Sequence, residues 1–174
     1  MWAELADAPR LSSYQKLEAH ADRLGQWPEW RERALAFLRD RLEQAGRASR
    51  DDRSRWAGRL DRSELVRIFL WEGDGEAAWR EAVEGGCSED LWLRLAAARR
   101  ERHPEDALAV YRRLVEPTLE GRNNEAYKEA VGLLRDVRDL MAGLGRAPEF
   151  AAYLEDIRAR HRRKRNFLRL SEEL

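Results

Sequence analysis

The chain has 174 residues, near the size of one domain and enough to bury a hydrophobic core without disulfides or metals. Hydrophobic residues make up 43% and charged residues 38%, and the 33 basic and 33 acidic side chains give a formal net charge of zero. Ala (25) and Leu (24) dominate the hydrophobic residues, whereas Val, Ile and Thr together number nine, which excludes a sheet-rich fold. The 15 aromatic residues and 24 leucines are enough to form a core, which argues against disorder.

Two helices are predicted before residue 46. The first covers residues 11–24, with Ser12 or Ser13 as its cap and Gly25 after its end. The second begins at Trp27, followed by a proline that suits a first helical turn, and is predicted to end at Gly46.

Residues 46–62 follow no clear period and contain six Arg and three Asp. They are predicted to form an exposed connection, with a short helical turn around Trp56. A more regular pattern resumes at Ser63, which is the predicted cap of a helix that ends at Gly73. Asp74 opens the next helix, which ends at residues 85–86.

The apolar spacing predicts further helices over residues 88–101, 104–116, 122–142 and 147–162, with a final turn or two over 166–174. Pro117 is predicted to end the second of these. Asn123 or Asn124 is the predicted cap of the third, taken as the longest helix of the chain, and Gly143 and Gly145 are predicted to end it.

From Ser63 onward the helices are interpreted as consecutive antiparallel pairs: 63–72 with 75–84, 88–101 with 104–116, and 122–142 with 147–162. The sequence therefore predicts one all-α domain over residues 1–174, an irregular tetratricopeptide-like α-solenoid of about eight helices. A compact helical bundle is the alternative. Leu134 and Tyr111 are predicted to lie at the centre of the stack.

No catalytic or cofactor signature is found. The single cysteine, Cys87, excludes an internal disulfide and a Cys-rich zinc site, fits a reducing cytoplasm, and is interpreted as a small buried packing residue. His20, His103 and His161 are scattered, and His103 is interpreted as a structural residue at a helix end. No apolar run is long enough to span a membrane, and the N-terminus does not resemble a signal peptide.

Seven tryptophans are a high number for a chain of this length. Trp71, Trp79 and Trp92 fall on or beside apolar stripes and are predicted to be mostly core residues. Trp2 and Trp56 lie in less periodic segments and are the candidate exposed aromatic contacts, because aromatic side chains are enriched at interfaces.

The C-terminal segment, residues 158–174, is basic, with seven basic and two acidic residues. Its candidate residues for binding an anionic partner are Arg158, Arg160, Arg162, Arg163, Lys164 and Arg165. In the other interpretation this tail docks on the acidic body of the protein, anchored by Phe167, Leu168 and Leu170.

Four runs of the sequence resemble the helical C-terminal region of bacterial SWIM zinc-finger proteins: Ser63–Asp74, His103–Tyr111, Asn124–Val131 and His161–Phe167. The resemblance covers roughly residues 11–167. It implies a tetratricopeptide-like stack of unassigned function, adjoining a zinc finger linked to DNA or protein binding. With one cysteine the chain lacks that finger, so we expect a fragment of a longer protein or a stand-alone relative.

These observations lead to the prediction of a non-catalytic scaffold in the cytoplasm that binds a protein and needs no cofactor. The alternative is a nucleic-acid-associated accessory domain that binds through the Arg-rich tail. Strong salt dependence of binding would distinguish the second from the first.

Overall fold

The computed structural model describes residues 1–51, with residues 47–51 as backbone alone, and residues 62–174. Every regular element in these ranges is a helix, so the all-α prediction is confirmed. The chain divides into two compact units, residues 1–91 and 92–174, where the sequence predicts a single domain. The two units are named unit 1 and unit 2.

Unit 1 contains five complete helices in the described residues, which are α1 (Trp2–Asp7), α2 (Leu11–Asp22), α3 (Trp27–Asp51), α4 (Ser63–Glu72) and α5 (Gly75–Gly85). The sixth, α6 (Glu89–Arg99), crosses the boundary between the units. The short α1 is absent from the sequence prediction. It packs against α2, and Leu5 on its inner side is fully buried.

Helix α3 is longer than predicted. It continues through Gly46 to Asp51, which makes it the longest helix in the described residues. A glycine inside a helix costs only about 1 kcal/mol relative to alanine. Leu42 and Ala45, which precede Gly46, have high helix propensity and favour the continued helix. The predicted connection 46–62 therefore begins as helix, and its residues 52–61, with the predicted turn at Trp56, lie outside the described residues.

Helices α4 and α5 form the predicted hairpin. Gly73 ends α4 in the left-handed conformation (φ 79°), which glycine adopts without steric cost. The Asp74 side chain then accepts a 2.9 Å hydrogen bond from the backbone N–H of Ala77 and caps α5, as predicted. The cap predicted at Ser63 is wrong, because Ser63 is the first residue of α4 and its hydroxyl accepts from the N–H of Ser88 (2.9 Å).

The cap predicted for α2 at Ser12 or Ser13 is also wrong. Arg10 occupies the cap position without a side-chain bond. The backbone N–H of Leu11 instead donates to Glu64 of α4 (2.9 Å). The start of α2 is thus satisfied by a residue 53 positions away, which local sequence does not reveal.

Unit 2 is built around α8 (Asn124–Gly143), which packs against α7 (Pro104–Leu119), α9 (Ala147–Arg160) and α10 (Arg165–Ser171). Asn123 caps α8 as predicted, and its side chain accepts from the N–H of Ala126 at 2.9 Å. Eight residues of α8 are buried, Leu134 completely, and Tyr111 of α7 is buried as well. The pairing of α8 with α9 is confirmed, whereas the extensive α7–α8 contact was not predicted.

Helix α7 passes the predicted end at Pro117 and reaches Leu119. Pro117 lies in the last turn, where a proline removes one backbone donor but few further helical bonds are lost. The Thr118 hydroxyl donates to the carbonyl of Leu114 (2.7 Å) and satisfies an acceptor in the same turn.

Candidate functional site

The basic C-terminal tail does not form one exposed strip. Three of its six candidate residues bind acidic or carbonyl groups of unit 2. Arg158 contacts Glu155 and Ser171, Arg160 contacts Glu116 and Asp156, and the Lys164 amine donates to the carbonyl of Leu119 and to Glu120. The hydrogen bond from Lys164 and its positive charge lower the pKa of the Glu120 carboxyl. These residues are already used within the protein.

The other three candidates, Arg162, Arg163 and Arg165, are exposed and form no ion pair with a described residue. They lie between the end of α9 and the start of α10. A ligand with several phosphates could contact them without breaking a bond of the fold.

Phe167 anchors the tail. Its ring is fully buried, 6.4 Å from the ring of Tyr127 and 6.1 Å from that of His161, while Leu168 is half-buried. The His161 Nε2 lies 2.6 Å from a carboxylate oxygen of Glu116 on α7, so this histidine is structural too. The sequence gives the apolar anchor but no local signal for a contact between residues 45 positions apart.

The predicted exposure of Trp2 is wrong. Trp2 is half-buried, because its ring lies 5.6 Å from Trp30 and 5.4 Å from Phe37, and the guanidinium of Arg33 covers it at 4.9 Å. The other candidate, Trp56, lies outside the described residues.

The core prediction is correct for Trp92, which is buried. It is wrong for Trp71, which is 42% exposed, and Trp79 is half-buried.

Residues of α2 and α3 line two surface depressions of unit 1. The first, named the Trp2–Trp30 groove, has a volume of about 330 Å³ and an apolar lining that includes Met1, Leu17 and Leu24. Leu24 lies in the turn after α2 and is 60% exposed. The groove thus leaves large apolar side chains in contact with solvent.

The second depression, named the Trp27–Trp71 cleft, has a volume of about 440 Å³. Its lining residues are Glu18, Trp27, Arg31, Trp71, Glu72 and Asp74. Helices α2, α3 and α4 each contribute to it, and Asp74 caps α5. Two indole rings and three carboxylates therefore meet in one open cleft.

Tyr14 of α2 connects the two tryptophans of this cleft. Its ring centroid lies 5.2 Å from that of Trp27 and 6.2 Å from that of Trp71, and both indole planes are nearly perpendicular to the phenol ring. These edge contacts suit the quadrupoles of aromatic rings. Because Tyr14 itself is completely buried, it gives the partly exposed indoles a rigid support.

Glu72 is fixed from two sides. The Tyr14 hydroxyl donates to its Oε1 at 2.7 Å, and Arg31 donates to both oxygens at 2.8 and 2.7 Å. Burial and the bond to Glu72 raise the pKa of Tyr14, and the same carboxylate raises the pKa of Arg31. Glu72 and Arg31 thus form an ion pair with each other, whereas Glu18 forms no ion pair within the described residues.

A larger cleft of about 600 Å³ adjoins this region, between α3 and the α4–α5 hairpin, but ion pairs cross it. Glu81, 5% exposed, accepts two bonds from Arg39 (2.9 and 2.7 Å) and one from Arg62 (2.6 Å). Arg39 also lies over the ring of Phe69, 5.8 Å from its centroid. We interpret this arrangement as structural, since its charged groups bind one another.

The remaining candidates for chemistry do not come together. His20 and His103 are exposed, and Cys87 is half-buried between α5 and α6. Among the described residues, no group of three or more His, Cys, Asp or Glu side chains could hold a metal ion. No helix in the described ranges is both long and apolar enough to cross a membrane.

Comparisons with protein-family models, with curated proteins and with solved structures find no match to this chain.

Proposed function

We propose that the chain is a non-catalytic, cytoplasmic protein-interaction module whose binding surface is the α2–α3 region of unit 1. The observation that carries the proposal is the exposure of Leu24 and Trp71 beside two depressions lined by Trp2, Trp27 and Trp30. Partly exposed aromatic side chains on a rigid support are typical of interface hot spots.

The helical architecture supports this proposal. Tyr14 contacts both Trp27 and Trp71 and is itself hydrogen-bonded to Glu72, 58 positions away, so the fold supports the surface without a partner. Preformed sites lose less conformational entropy on binding. The resemblance to the helical region of SWIM zinc-finger proteins stays a prediction, and the proposal does not depend on it.

The proposal is tested by site-specific crosslinking in an extract of the cells that produce the protein. Leu24 is replaced by the photoreactive p-benzoylphenylalanine, and in a control the same group replaces Ala151, an exposed residue of α9 in unit 2. We expect a discrete protein adduct only from position 24. Excess wild-type chain should compete for the adduct, and excess Trp71→Ala chain should not. Equal adducts from both positions would contradict the proposal.

A second candidate function is nucleic-acid binding through the tail, because Arg162, Arg163 and Arg165 remain exposed. Fluorescence anisotropy with a generic DNA duplex at about 50 and 200 mM salt tests it. If this function is correct, the triple alanine variant loses an affinity that falls strongly with salt. Weak wild-type binding that the substitutions do not change would exclude it.

A further inference from the structure

Arginine covers several tryptophans in this protein. The guanidinium of Arg33 lies 4.9 Å from the ring of Trp2 and 5.1 Å from that of Trp30, and Arg113 lies 4.1 Å from Trp92. These distances are within the range of favourable cation–π contacts. The chain therefore uses arginine repeatedly to cover indole rings.

Trp27 and Trp71 lack such a cover. Among the described residues no guanidinium lies over either ring, although Arg31 lines the same cleft. Arg31 is held by both oxygens of Glu72 and lies over Phe69 instead, 5.9 Å from its centroid. The cleft thus has the aromatic surfaces for a guanidinium but no internal one to occupy them.

The charges of the cleft favour the same ligand. Glu72 and Arg31 neutralise each other, and Glu18 and Asp74 add two further carboxylates that form no ion pair within the described residues. One oxygen of Asp74 accepts from the N–H of Ala77, and the other makes no hydrogen bond within the described residues. Arginine donates to carboxylates in a planar fork and stacks on aromatic faces, whereas lysine is a strongly hydrated point charge.

We propose that the Trp27–Trp71 cleft binds an arginine side chain of the partner protein, between the indole rings and the carboxylates of Glu18 and Asp74. This inference rests on the proposed function and names the chemistry of its partner. The arginine completes the pattern that Arg33 and Arg113 form elsewhere in the chain.

The test uses N-acetyl-arginine methylamide as the probe, with the citrulline and lysine analogues as controls. Citrulline keeps the shape of arginine and removes the charge. Binding is followed by the seven tryptophan indole N–H signals in two-dimensional NMR of the ¹⁵N-labelled full chain, assigned with single Trp→Phe variants. We expect the arginine probe to shift the signals of Trp27 and Trp71, with a Kd on the order of millimolar.

We expect citrulline and lysine to bind at least about fivefold more weakly than arginine. The Glu18→Gln/Asp74→Asn variant should lose arginine binding, while asparagine still caps α5. The matched control is Glu29→Gln, an exposed acidic residue of α3 outside the cleft, which should bind as the wild type does.

Equal binding of arginine and citrulline, equal binding of lysine, or equal shifts at Trp2, Trp30 and Trp92 would overturn the inference. The outcome is independent of the crosslinking test. If position 24 crosslinks a protein but the cleft does not prefer arginine, only the partner chemistry is wrong. If the cleft prefers arginine but position 24 gives no adduct, the proposed function is wrong.

Discussion

Units 1 and 2 distribute apolar and charged side chains differently. In unit 2, α8 alone buries eight residues, and the ion pairs that α8 forms involve partly exposed side chains. One basic side chain of unit 2, Arg99, is buried and pairs with Asp106. In unit 1 the carboxylates of Glu72 and Glu81 take inner positions. Unit 1 also holds all of the large hydrophobic side chains that are exposed in the described residues, which are Met1, Leu24, Trp71 and Val83.

Helix α4 shows how the two features of unit 1 are connected. Glu72 turns inward to meet Tyr14 and Arg31, and the adjacent Trp71, whose ring lies against Tyr14, remains 42% exposed. A buried ion pair is weak evidence for stability, because desolvation offsets most of its attraction. Unit 1 thus leaves apolar surface uncovered where unit 2 buries it, and we infer that a partner covers this surface.

The largest expected effect is in unit 2. Phe167→Ala should lower the free energy of unfolding by about 3–5 kcal/mol, because it empties a fully buried site. Arg163→Ala, at an exposed position without an ion pair in the described residues, should change it by less than about 0.5 kcal/mol. Urea unfolding of both variants at low and high salt measures the difference. Equal losses would show that charges rather than Phe167 hold the tail.

Leu134→Ala should cost about 2–5 kcal/mol, since Leu134 is fully buried on α8. The control is Arg135→Ala, the next residue, whose exposed side chain pairs with Glu173 and contributes at most about 1 kcal/mol. Urea melts of the two variants provide the comparison. A loss below about 1 kcal/mol for Leu134→Ala would contradict an apolar origin for the stability of unit 2.

In unit 1 the buried Glu81 should contribute more to stability than the exposed Glu84. Glu81→Ala leaves the guanidiniums of Arg39 and Arg62 without their buried acceptor and should cost about 1–3 kcal/mol. Glu84 also contacts Arg62 but is largely exposed. The matched control, Glu84→Ala, should lower the free energy of unfolding by about 0–1 kcal/mol. Thermal unfolding that ranks the two variants equally would argue against a structural role for the buried carboxylate.

The smallest effect concerns alkaline pH. The pKa of Tyr14 is raised above its ordinary value of about 10, so the phenol stays protonated in the folded chain while it ionises in the unfolded one. Its contribution to stability is therefore complete below about pH 10 and is lost as the pH rises further. Between about pH 9 and 11 the stability of Tyr14→Phe should fall less than that of the wild type. If urea unfolding shows the same decrease of stability with pH for Tyr14→Phe and the wild type, this coupling is refuted.

The elements that local chemistry determines were predictable. Gly73, Asp74 and Asn123 each mark a helix end by their own backbone preference or side-chain bond. The errors occur where distant contacts decide. Glu64 of α4 satisfies the start of α2, and the six-residue α1 packs on α2.

The candidate site could not be predicted for the same reason. Tyr14, Trp27 and Trp71 come from three helices, and no motif joins them before the chain folds. The early signal was the high tryptophan content of the chain. The basic tail was conspicuous in sequence, but half of its candidate residues are used inside unit 2.

The most direct test of the central claim is calorimetric titration of the partner identified by crosslinking from position 24. It is purified and titrated into the wild type, into Trp71→Ala, and into the triple variant of Arg162, Arg163 and Arg165 to alanine. The binding surface on unit 1 predicts that Trp71→Ala weakens the affinity by about tenfold or more, and that the triple variant changes it by less than about twofold. The reverse order would contradict the claim and assign binding to the tail of unit 2.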